Sequence, residues 1–238
     1  MRLLFTIQYL GTRYAGWQLQ ENAPSVQQHL EEALAATYNV ALRVHGAGRT
    51  DAGVHARAMR AHVDVPFDIP VRGLILGLNN RLPADIRVTA VEPVADDFHA
   101  RFDATRKTYE YRIWNAEVAD VFAAATHAHV AQPLDVAVMH NAAQALLGQH
   151  DFAVFTVASP EVSTTVRTIA SISVTREREA IRIVVTADGF LRYMVRRIAG
   201  SLIEIGRGKL DRALLLSSAR WTAPAHGLTL LDIGYSQD

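Results

Sequence analysis

The alternation of apolar and polar residues predicts a regular series of strands and helices in the first half of the chain. Residues 2–9 are apolar with β-branched members, which is typical of a strand. Two helices are predicted, one from Val26 to about Thr37 with Ser25 as its N-cap, and one opened by Pro70. Further strands are predicted near 40–46, 57–65 and 86–94. The order strand, helix, strand, strand, helix, strand is the split βαβ, or ferredoxin-like, arrangement.

The second helix carries apolar residues at helical spacing. Its inward face is predicted to comprise Val71, Leu74, Ile75 and Leu78. This stripe is the expected contact of the helix with the core.

The second half of the chain repeats the same kinds of element. Residues 105–114 alternate and predict a strand. Other strands are predicted near 167–175, 180–187 and 228–235, and helices near 135–147, 190–205 and 210–219. We therefore expect an α+β fold, with two ferredoxin-like (βαββαβ-type) halves at 1–104 and 105–238. The halves are expected to share a largely antiparallel sheet, with an active-site cleft where they meet.

Composition narrows the class of protein. The 238 residues are 50% hydrophobic and 20% charged, as in ordinary globular proteins. The absence of cysteine excludes disulfides, thiolate catalysis and cysteine-ligated zinc. No apolar run approaches the roughly 18 residues of a membrane span, so no membrane partner is expected. The N-terminal residues are too polar for a signal peptide, and a cytoplasmic location is expected.

The charge pattern leaves two interpretations open. The net charge is zero, but the basic residues are 22 arginines and 2 lysines. Arginine stacks on bases and forms paired hydrogen bonds with phosphate, which fits an RNA partner. A GC-rich genome would produce the same bias.

The segment from Gly46 to Ala56 is the most informative stretch of the sequence. Three glycines within eight residues allow positive φ angles and a close approach to a ligand. Arg49 and Asp51 project from the same face if the segment is extended. A neighbouring guanidinium would keep the carboxylate ionised, as a nucleophile requires. The alternative is a glycine-rich turn with a surface Asp–Arg pair.

Three further groups of residues are candidates for nucleic-acid contacts. Tyr109 and Tyr111 share a face of the predicted strand, so that one of them could stack on a base or transfer a proton. Arg192 and Arg196 lie one helical turn apart and could hold phosphates or the Asp51 carboxylate. The alternatives are two core tyrosines and a solvated basic face. A loop with an indole and amides could also grip nucleotides, through Tyr14, Gly16, Trp17, Gln18 and Gln20.

Other chemistries lack the residues they require. The histidines show no metal-ligand spacing such as H-E-x-x-H, and no metal is predicted. The glycine loop lacks the Gly-Lys-Ser/Thr ending of a P-loop, and a G-x-S-x-G elbow is absent from the sequence. Nucleotide hydrolysis and serine hydrolysis therefore have no support.

Five segments in order resemble the tRNA pseudouridine synthase A (TruA) family over nearly the whole chain. The most specific is Gly48-Arg49-Thr50-Asp51-Ala52-Gly53-Val54-His55-Ala56. The others are Gly16-Trp17-Gln18 with Gln20, Asp97 to Phe102 followed by Tyr109 and Tyr111, Phe190 to Gly200, and Pro224 to Leu228. Family members usually have Asp where this chain has Leu10 and Arg where it has Leu19.

The resemblance implies a pseudouridine synthase fold and a defined reaction. The family converts uridine to pseudouridine at positions 38 to 40 of the tRNA anticodon arm, with no cofactor and no metal. Its members are homodimers that grip tRNA across both subunits. The resemblance makes Asp51 the nucleophile and Arg49 the residue that helps to hold the place of the flipped base. It also makes Tyr109 the residue that stacks on the target base and Arg196 the partner of the catalytic carboxylate.

The same resemblance extends the expected substrate-binding set. Besides Tyr109, it comprises Trp17, Gln18, His55, Arg101 and Arg192. Two other classes of function stay open at this point. One is a non-catalytic RNA-binding or chaperone module on the same fold, and the other is a metabolic enzyme that binds phosphate at the glycine loop.

Overall fold

The structure, a computed structural model, describes residues 1–157 and 163–236. The chain forms two compact units. The first contains Met1–Thr105 together with the C-terminal residues from Leu230 onward, and the second contains Arg106–Thr229.

In chain order, the described residues form ten strands and four α-helices. The elements of the first hundred residues are β1 (Arg2–Tyr9), α1 (Val26–Tyr38), β2 (His45–Gly46), β3 (His55–Asp64), α2 (Val71–Arg81) and β4 (Ile86–Val94). The remaining strands are β5 (Ala104–Trp114), β6 (Ala128–His129), β7 (Gly148–Asp151), β8 (Val166–Glu177), β9 (Ala180–Ala187) and β10 (Leu228–Tyr235). The remaining helices are α3 (Val136–Ala143) and α4 (Met194–Gly206).

The first unit is built on the strand order β4-β1-β3-β10, with β2 paired to β3. β1 lies antiparallel to both β3 and β4. Helix α1 begins where the Ser25 hydroxyl accepts the Gln28 amide at 3.2 Å, as an N-cap does, and ends at Asn39 in the left-handed conformation. α1 contacts α2, and α2 in turn packs on β4. The predicted split βαβ order of this half is confirmed.

The buried face of α2 is narrower than predicted. Leu74 and Leu78 are buried, but Val71 is 41% exposed and Ile75 is only partly covered. Val71 is the first residue of the helix, at its exposed start, and this is the reason that it contributes no core contact.

The second unit has the strand order β5-β9-β8-β7, and all of these pairs are antiparallel. The short β6 pairs in parallel with β5. Helix α3 packs on β8 and on α4. The predicted α+β fold with a mostly antiparallel sheet is therefore confirmed.

Three predicted elements differ from the structure. The predicted helix at 190–205 begins only at Met194, because Tyr193 has a φ of 64° and is the residue that precedes the helix. The predicted helix near 210–219 is reduced to the single 3-10 turn Arg212–Leu214. The predicted strand at 40–46 is reduced to β2, since only its last two residues pair with β3.

The C-terminal strand belongs with the first unit, whereas the predicted division at 104 and 105 assigned it to the second half. The strand pairs with β3, and its residues from Leu230 onward group with the first unit, because strand pairing does not depend on closeness in the sequence. The Tyr235 hydroxyl donates to the Ala100 carbonyl at 2.9 Å, and the Thr105 hydroxyl donates to the Gly234 carbonyl at 3.2 Å. Across residues 1–157 and 163–236, no helix is long and apolar enough to span a bilayer.

Candidate active site

Asp51 lies in the loop that joins β2 to β3, called here the Asp51 loop (residues 47–54). The Asp51 carbonyl accepts the Val54 amide at 3.1 Å, and Gly53 takes a φ of 79° that suits glycine. Thr50 is buried, with its hydroxyl 2.8 Å from the Tyr9 hydroxyl at the end of β1. Its two neighbours in the sequence, Arg49 and Asp51, are respectively exposed and partly exposed. This alternation agrees with the expectation that Arg49 and Asp51 share a face.

A second loop, residues 10–18, packs against the Asp51 loop along its length. The Thr50 carbonyl accepts the Trp17 amide at 3.2 Å, and the Tyr14 carbonyl accepts the Gly53 amide at 3.3 Å. A Cβ at Gly16 would lie 2.4 Å from the Thr50 carbonyl oxygen. Because no side chain fits in that space, glycine at position 16 permits the two backbones to touch.

Two residues that were expected to bind substrate are buried in this packing. Trp17 is 1% exposed and His55 is 2% exposed. His55 Nδ1 accepts the Gly11 amide at 2.9 Å, so the ring ties β3 to the start of the 10–18 loop. Both side chains are thus placed to hold the loop rather than to meet a macromolecule.

Gln18 and Arg49 contact each other beside the Asp51 loop. The Arg49 Nε donates to the Gln18 side-chain oxygen at 3.1 Å, and the Arg49 side chain is exposed. This bond limits the orientations of the guanidinium two residues from Asp51. Arg49, Gln18 and Asp51 are therefore brought to one region of the first unit.

In the second unit, the two tyrosines of β5 are both buried but differ in their surroundings. The Tyr111 hydroxyl donates to the Pro224 carbonyl at 2.9 Å, and burial raises the pKa of Tyr111 above its ordinary value. Tyr111 therefore fits the alternative interpretation given above, in which the tyrosines of this strand are core residues. Tyr109, 9% exposed, meets Phe190 edge to face with ring centroids 5.1 Å apart. An aromatic neighbour in this geometry fixes the plane of the Tyr109 ring.

Arg192 and Arg196 both approach the ring of Tyr193. Their guanidinium carbons lie 4.9 Å and 5.3 Å from its centroid, within cation–π range. Arg196 Nε also donates to the Ala223 carbonyl at 2.8 Å, whereas Arg192 is exposed. Tyr193 was not among the predicted site residues. It has a positive φ and immediately precedes α4.

Arg101 lies on the exposed loop between β4 and β5, and its guanidinium carbon is 5.7 Å from the Phe102 ring centroid. Phe102 is 74% exposed. An exposed arginine and aromatic ring side by side suit stacking on a nucleotide base.

A cluster of three histidines is the one group of residues in the described chain whose spacing could suit a metal ion. Ring nitrogens of His45, His62 and His99 lie within 4.8 Å of one another. However, Nδ1 of His62 accepts the Ala100 amide and Nδ1 of His99 accepts the Arg101 amide, each at 3.1 Å. A neutral imidazole that accepts at Nδ1 carries its proton on Nε2 and offers no lone pair there. A histidine that binds a metal through Nε2 instead donates a hydrogen bond from its Nδ1–H group. The tautomers of His62 and His99 therefore disfavour a metal.

Comparison with known proteins identifies the family. A family model described as tRNA pseudouridine synthase matches residues 6–103 and 142–236. The chain belongs to this family. The first matched segment includes the Asp51 loop and Arg101, and the second includes Arg192 and Arg196, while Tyr109 lies between the two segments.

Individual relatives match over nearly their full lengths. A tRNA pseudouridine synthase A of Pelobacter propionicus is 42% identical, over 97% of this chain and 98% of the relative. Proteins of the same name are 40% identical in Myxococcus xanthus, over 98% and 92%, and 42% identical in Halalkalibacterium halodurans, over 95% and 90%. The family resemblance expected from the five sequence segments is confirmed.

Proposed function

We propose that this protein isomerises uridine to pseudouridine at positions 38 to 40 of the tRNA anticodon arm, with Asp51 as the nucleophile. The observation that carries the proposal is the form of the Asp51 loop. It presents a partly exposed carboxylate two residues from the exposed Arg49, on a backbone held by the 10–18 loop. Family membership supports the reaction class.

The chemistry requires a nucleophile and an enclosed base, but no hydrolytic group. The target uridine must first leave its stack, which costs a few kcal/mol. Asp51 then attacks either the ribose C1′ or the base C6. The N1–C1′ bond breaks, the uracil rotates, a C5–C1′ bond forms, and the covalent bond to Asp51 is cleaved, which regenerates the free carboxylate. The C5 proton is released and N1 takes up a proton, so the product is an isomer of the substrate.

Tyr109 is proposed to stack on the extruded base and to move the proton that leaves in the last steps. Stacking of a base on an aromatic ring contributes about 1–3 kcal/mol, which offsets part of the extrusion cost. The edge-to-face contact with Phe190 supports this role, because it holds the ring in one plane. Arg196 is proposed to supply positive charge to the same reaction.

We propose revised roles for three other residues. Burial of Trp17 and His55 supports a role in holding the Asp51 loop rather than in touching RNA. Gln18 is proposed to orient Arg49 through their hydrogen bond. Arg101 and Arg192, which are exposed, remain the proposed contacts to the tRNA.

The protein is further proposed to act as a cytoplasmic homodimer, without a metal or an organic cofactor. Light scattering is expected to give twice the chain mass of 26.2 kDa. Binding to tRNA is expected to weaken steeply with salt despite the zero net charge, because arginine–phosphate contacts release counterions. A flat salt response would contradict an arginine-based RNA surface.

Tritium release from an anticodon-arm transcript labelled at uridine C5 tests the reaction and its nucleophile together. Wild type is expected to release tritium, and Asp51→Asn is expected to release none above background. Asp96→Asn, which removes an exposed carboxylate elsewhere in the first unit, is the matched control and is expected to behave as wild type. Equal release by Asp51→Asn and wild type would exclude Asp51 as the nucleophile.

The main competing function, a non-catalytic RNA-binding module, makes different predictions in the same assay. Wild type would then bind the transcript but release no tritium, and binding would survive Asp51→Ala. Such a result would overturn the proposed reaction while leaving RNA binding in place.

A further inference from the structure

Asp85, the residue immediately before β4, is the centre of a compact set of hydrogen bonds. One carboxylate oxygen accepts the Tyr14 hydroxyl at 2.5 Å, and the other accepts the Arg13 Nε at 2.8 Å. The Asp85 backbone carbonyl also accepts the Leu10 amide at 3.0 Å. One acidic residue therefore holds three positions of the 10–18 loop.

Electrostatics strengthen the bond between Asp85 and Tyr14. Burial acts to raise the pKa of Asp85, but hydrogen bonds from Tyr14 and Arg13 outweigh it and leave the pKa below its ordinary value. Burial, together with the hydrogen bond to Asp85, raises the pKa of Tyr14. The phenol therefore stays protonated as the donor and the carboxylate stays ionised as the acceptor. Hydrogen bonds to an ionised acceptor are about twice as strong as neutral ones.

The opposite side of Tyr14 reaches the Asp51 loop. Its ring is 4% exposed, and its carbonyl accepts the Gly53 amide, two residues from Asp51. Tyr14 also donates its own amide to the Gly11 carbonyl at 2.9 Å. The side chain of Tyr14 is thus fixed by Asp85, while its backbone fixes the Asp51 loop.

The backbones of the 10–18 loop and the Asp51 loop are packed too closely for one loop to move without the other. A Cβ at Gly11 would lie 2.0 Å from the Val54 carbonyl oxygen, so the two backbones are already in contact. A shift of the 10–18 loop must therefore shift residues 53 and 54. Displacements of about 1 Å in a catalytic group can cost on the order of 10²-fold in rate.

We propose that Asp85 is a positioning residue that acts through Tyr14 to hold the Asp51 loop in its reactive position. In this role Asp85 acts through the loop and not through a contact with substrate. The inference rests on the proposed function, since it takes Asp51 as the nucleophile. A carboxylate outside the glycine-rich segment thus affects the catalytic rate through the position of the Asp51 loop.

Two variants and one matched control test this role. Tyr14→Phe removes only the hydroxyl that donates to Asp85, and Asp85→Ala removes the acceptor. Arg13→Gln is the control, because it removes the ion pair to the same carboxylate but leaves the Tyr14 bond intact. The measurements are kcat and KM for tritium release, Kd for the transcript, and amide hydrogen exchange of peptides covering residues 47–55.

The expected result separates positioning from general stability. Tyr14→Phe and Asp85→Ala should each lower kcat by about 10-fold or more, with Kd within about 2-fold of wild type. Exchange over residues 47–55 should accelerate by about 10-fold in both variants and not in Arg13→Gln. The double variant should be no worse than the poorer single variant, because both changes break one connection.

Three outcomes would overturn the inference. Unchanged kcat and unchanged exchange in both variants, with an active wild type, would remove the positioning role alone. A loss of activity explained entirely by Kd would assign Asp85 to binding instead. A wild type that binds the transcript but forms no pseudouridine would overturn the proposed function, and this inference with it.

Discussion

The backbone of Gly46 lies directly against the indole of Trp17. A Cβ at position 46 would be 2.4 Å from the indole Nε1. Trp17 is 1% exposed, so its ring has no open space into which to move. The glycine that opens the segment from Gly46 to Ala56 is thus required by the shape of a neighbouring residue, before any contact with a ligand is considered.

Gly46→Ala is therefore expected to destabilise the protein. The added methyl group must displace a buried ring, and overpacking of this kind costs about 1–3 kcal/mol. Urea denaturation measures the change. Gly73→Ala is the matched control, because its Cβ meets nothing within 4 Å and it lies within α2. That control should gain about 0.5–1 kcal/mol from helix propensity. A Gly46→Ala protein as stable as wild type would contradict the close contact.

Gln18→Leu is expected to lower the rate of pseudouridine formation through Arg49. The change removes the acceptor of the Arg49 Nε, so the guanidinium is no longer held in one orientation. Because this bond is exposed to solvent, the expected loss of rate is modest, about 10-fold at most. Tritium release by Gln18→Leu, Arg49→Ala and the double variant measures the coupling. If Gln18 acts through Arg49, the double variant should match Arg49→Ala. Additive losses would show that Gln18 acts independently.

The sequence was sufficient to predict the features that depend on local pattern. The N-cap at Ser25, the α1 helix and the strands β1, β3 and β4 followed from spacing and residue type. The glycine-rich segment likewise pointed to a loop that carries Arg49 and Asp51, and the structure has a loop at residues 47–54. These features are determined by residues that are close in the chain.

Features that depend on distant contacts were not predictable. Trp17 and His55 were expected to meet substrate, because a sequence shows the chemistry of a side chain but not its burial. Asp85 gave no indication of a role, since Tyr14 lies 71 residues away in the chain. The apolar spacing places Tyr193 within a predicted helix, and its positive φ follows only from the folded second unit.

Glu110→Ala is expected to destabilise the second unit strongly. Glu110 is fully buried and accepts from Arg112 Nε at 2.6 Å and from Arg182. These two arginines lie directly opposite each other on β5 and β9, so the carboxylate separates like charges. Breaking a buried ion pair costs about 3–5 kcal/mol, and the partial exposure of both arginines places the expected loss near the lower figure, about 3 kcal/mol.

Urea denaturation of Glu110→Ala and Glu110→Gln checks this ion-pair prediction. The glutamine keeps the shape and one acceptor oxygen but loses the charge, so its loss should be smaller than that of alanine. Equal stability of Glu110→Ala and wild type would show that the arginines find other partners.

The buried His62 ring is the residue expected to dominate the acid sensitivity of the first unit. Burial, then the charges of Arg2, His45 and His99, lower the pKa of His62 from 6.5 to about 4, while Asp64 acts in the opposite direction. Between these two values the unfolded chain binds a proton that the folded chain does not. Stability is therefore complete above about pH 6.5 and falls as the pH drops toward 4.

The loss attributable to His62 at pH 4 is expected to reach about 3 kcal/mol, from 1.36 kcal/mol for each unit of pKa shift. Urea denaturation at pH 7.5, 6.0 and 5.0 measures the slope. His62→Gln keeps an acceptor for the Ala100 amide but cannot bind the proton, so its stability should change less over this range. His129→Gln, at an exposed ring, should keep the wild-type slope. An identical slope in His62→Gln and wild type would show that other groups cause the acid sensitivity. The hydrogen bond from the Ala100 amide to His62 Nδ1 would then serve only to hold the ring in place.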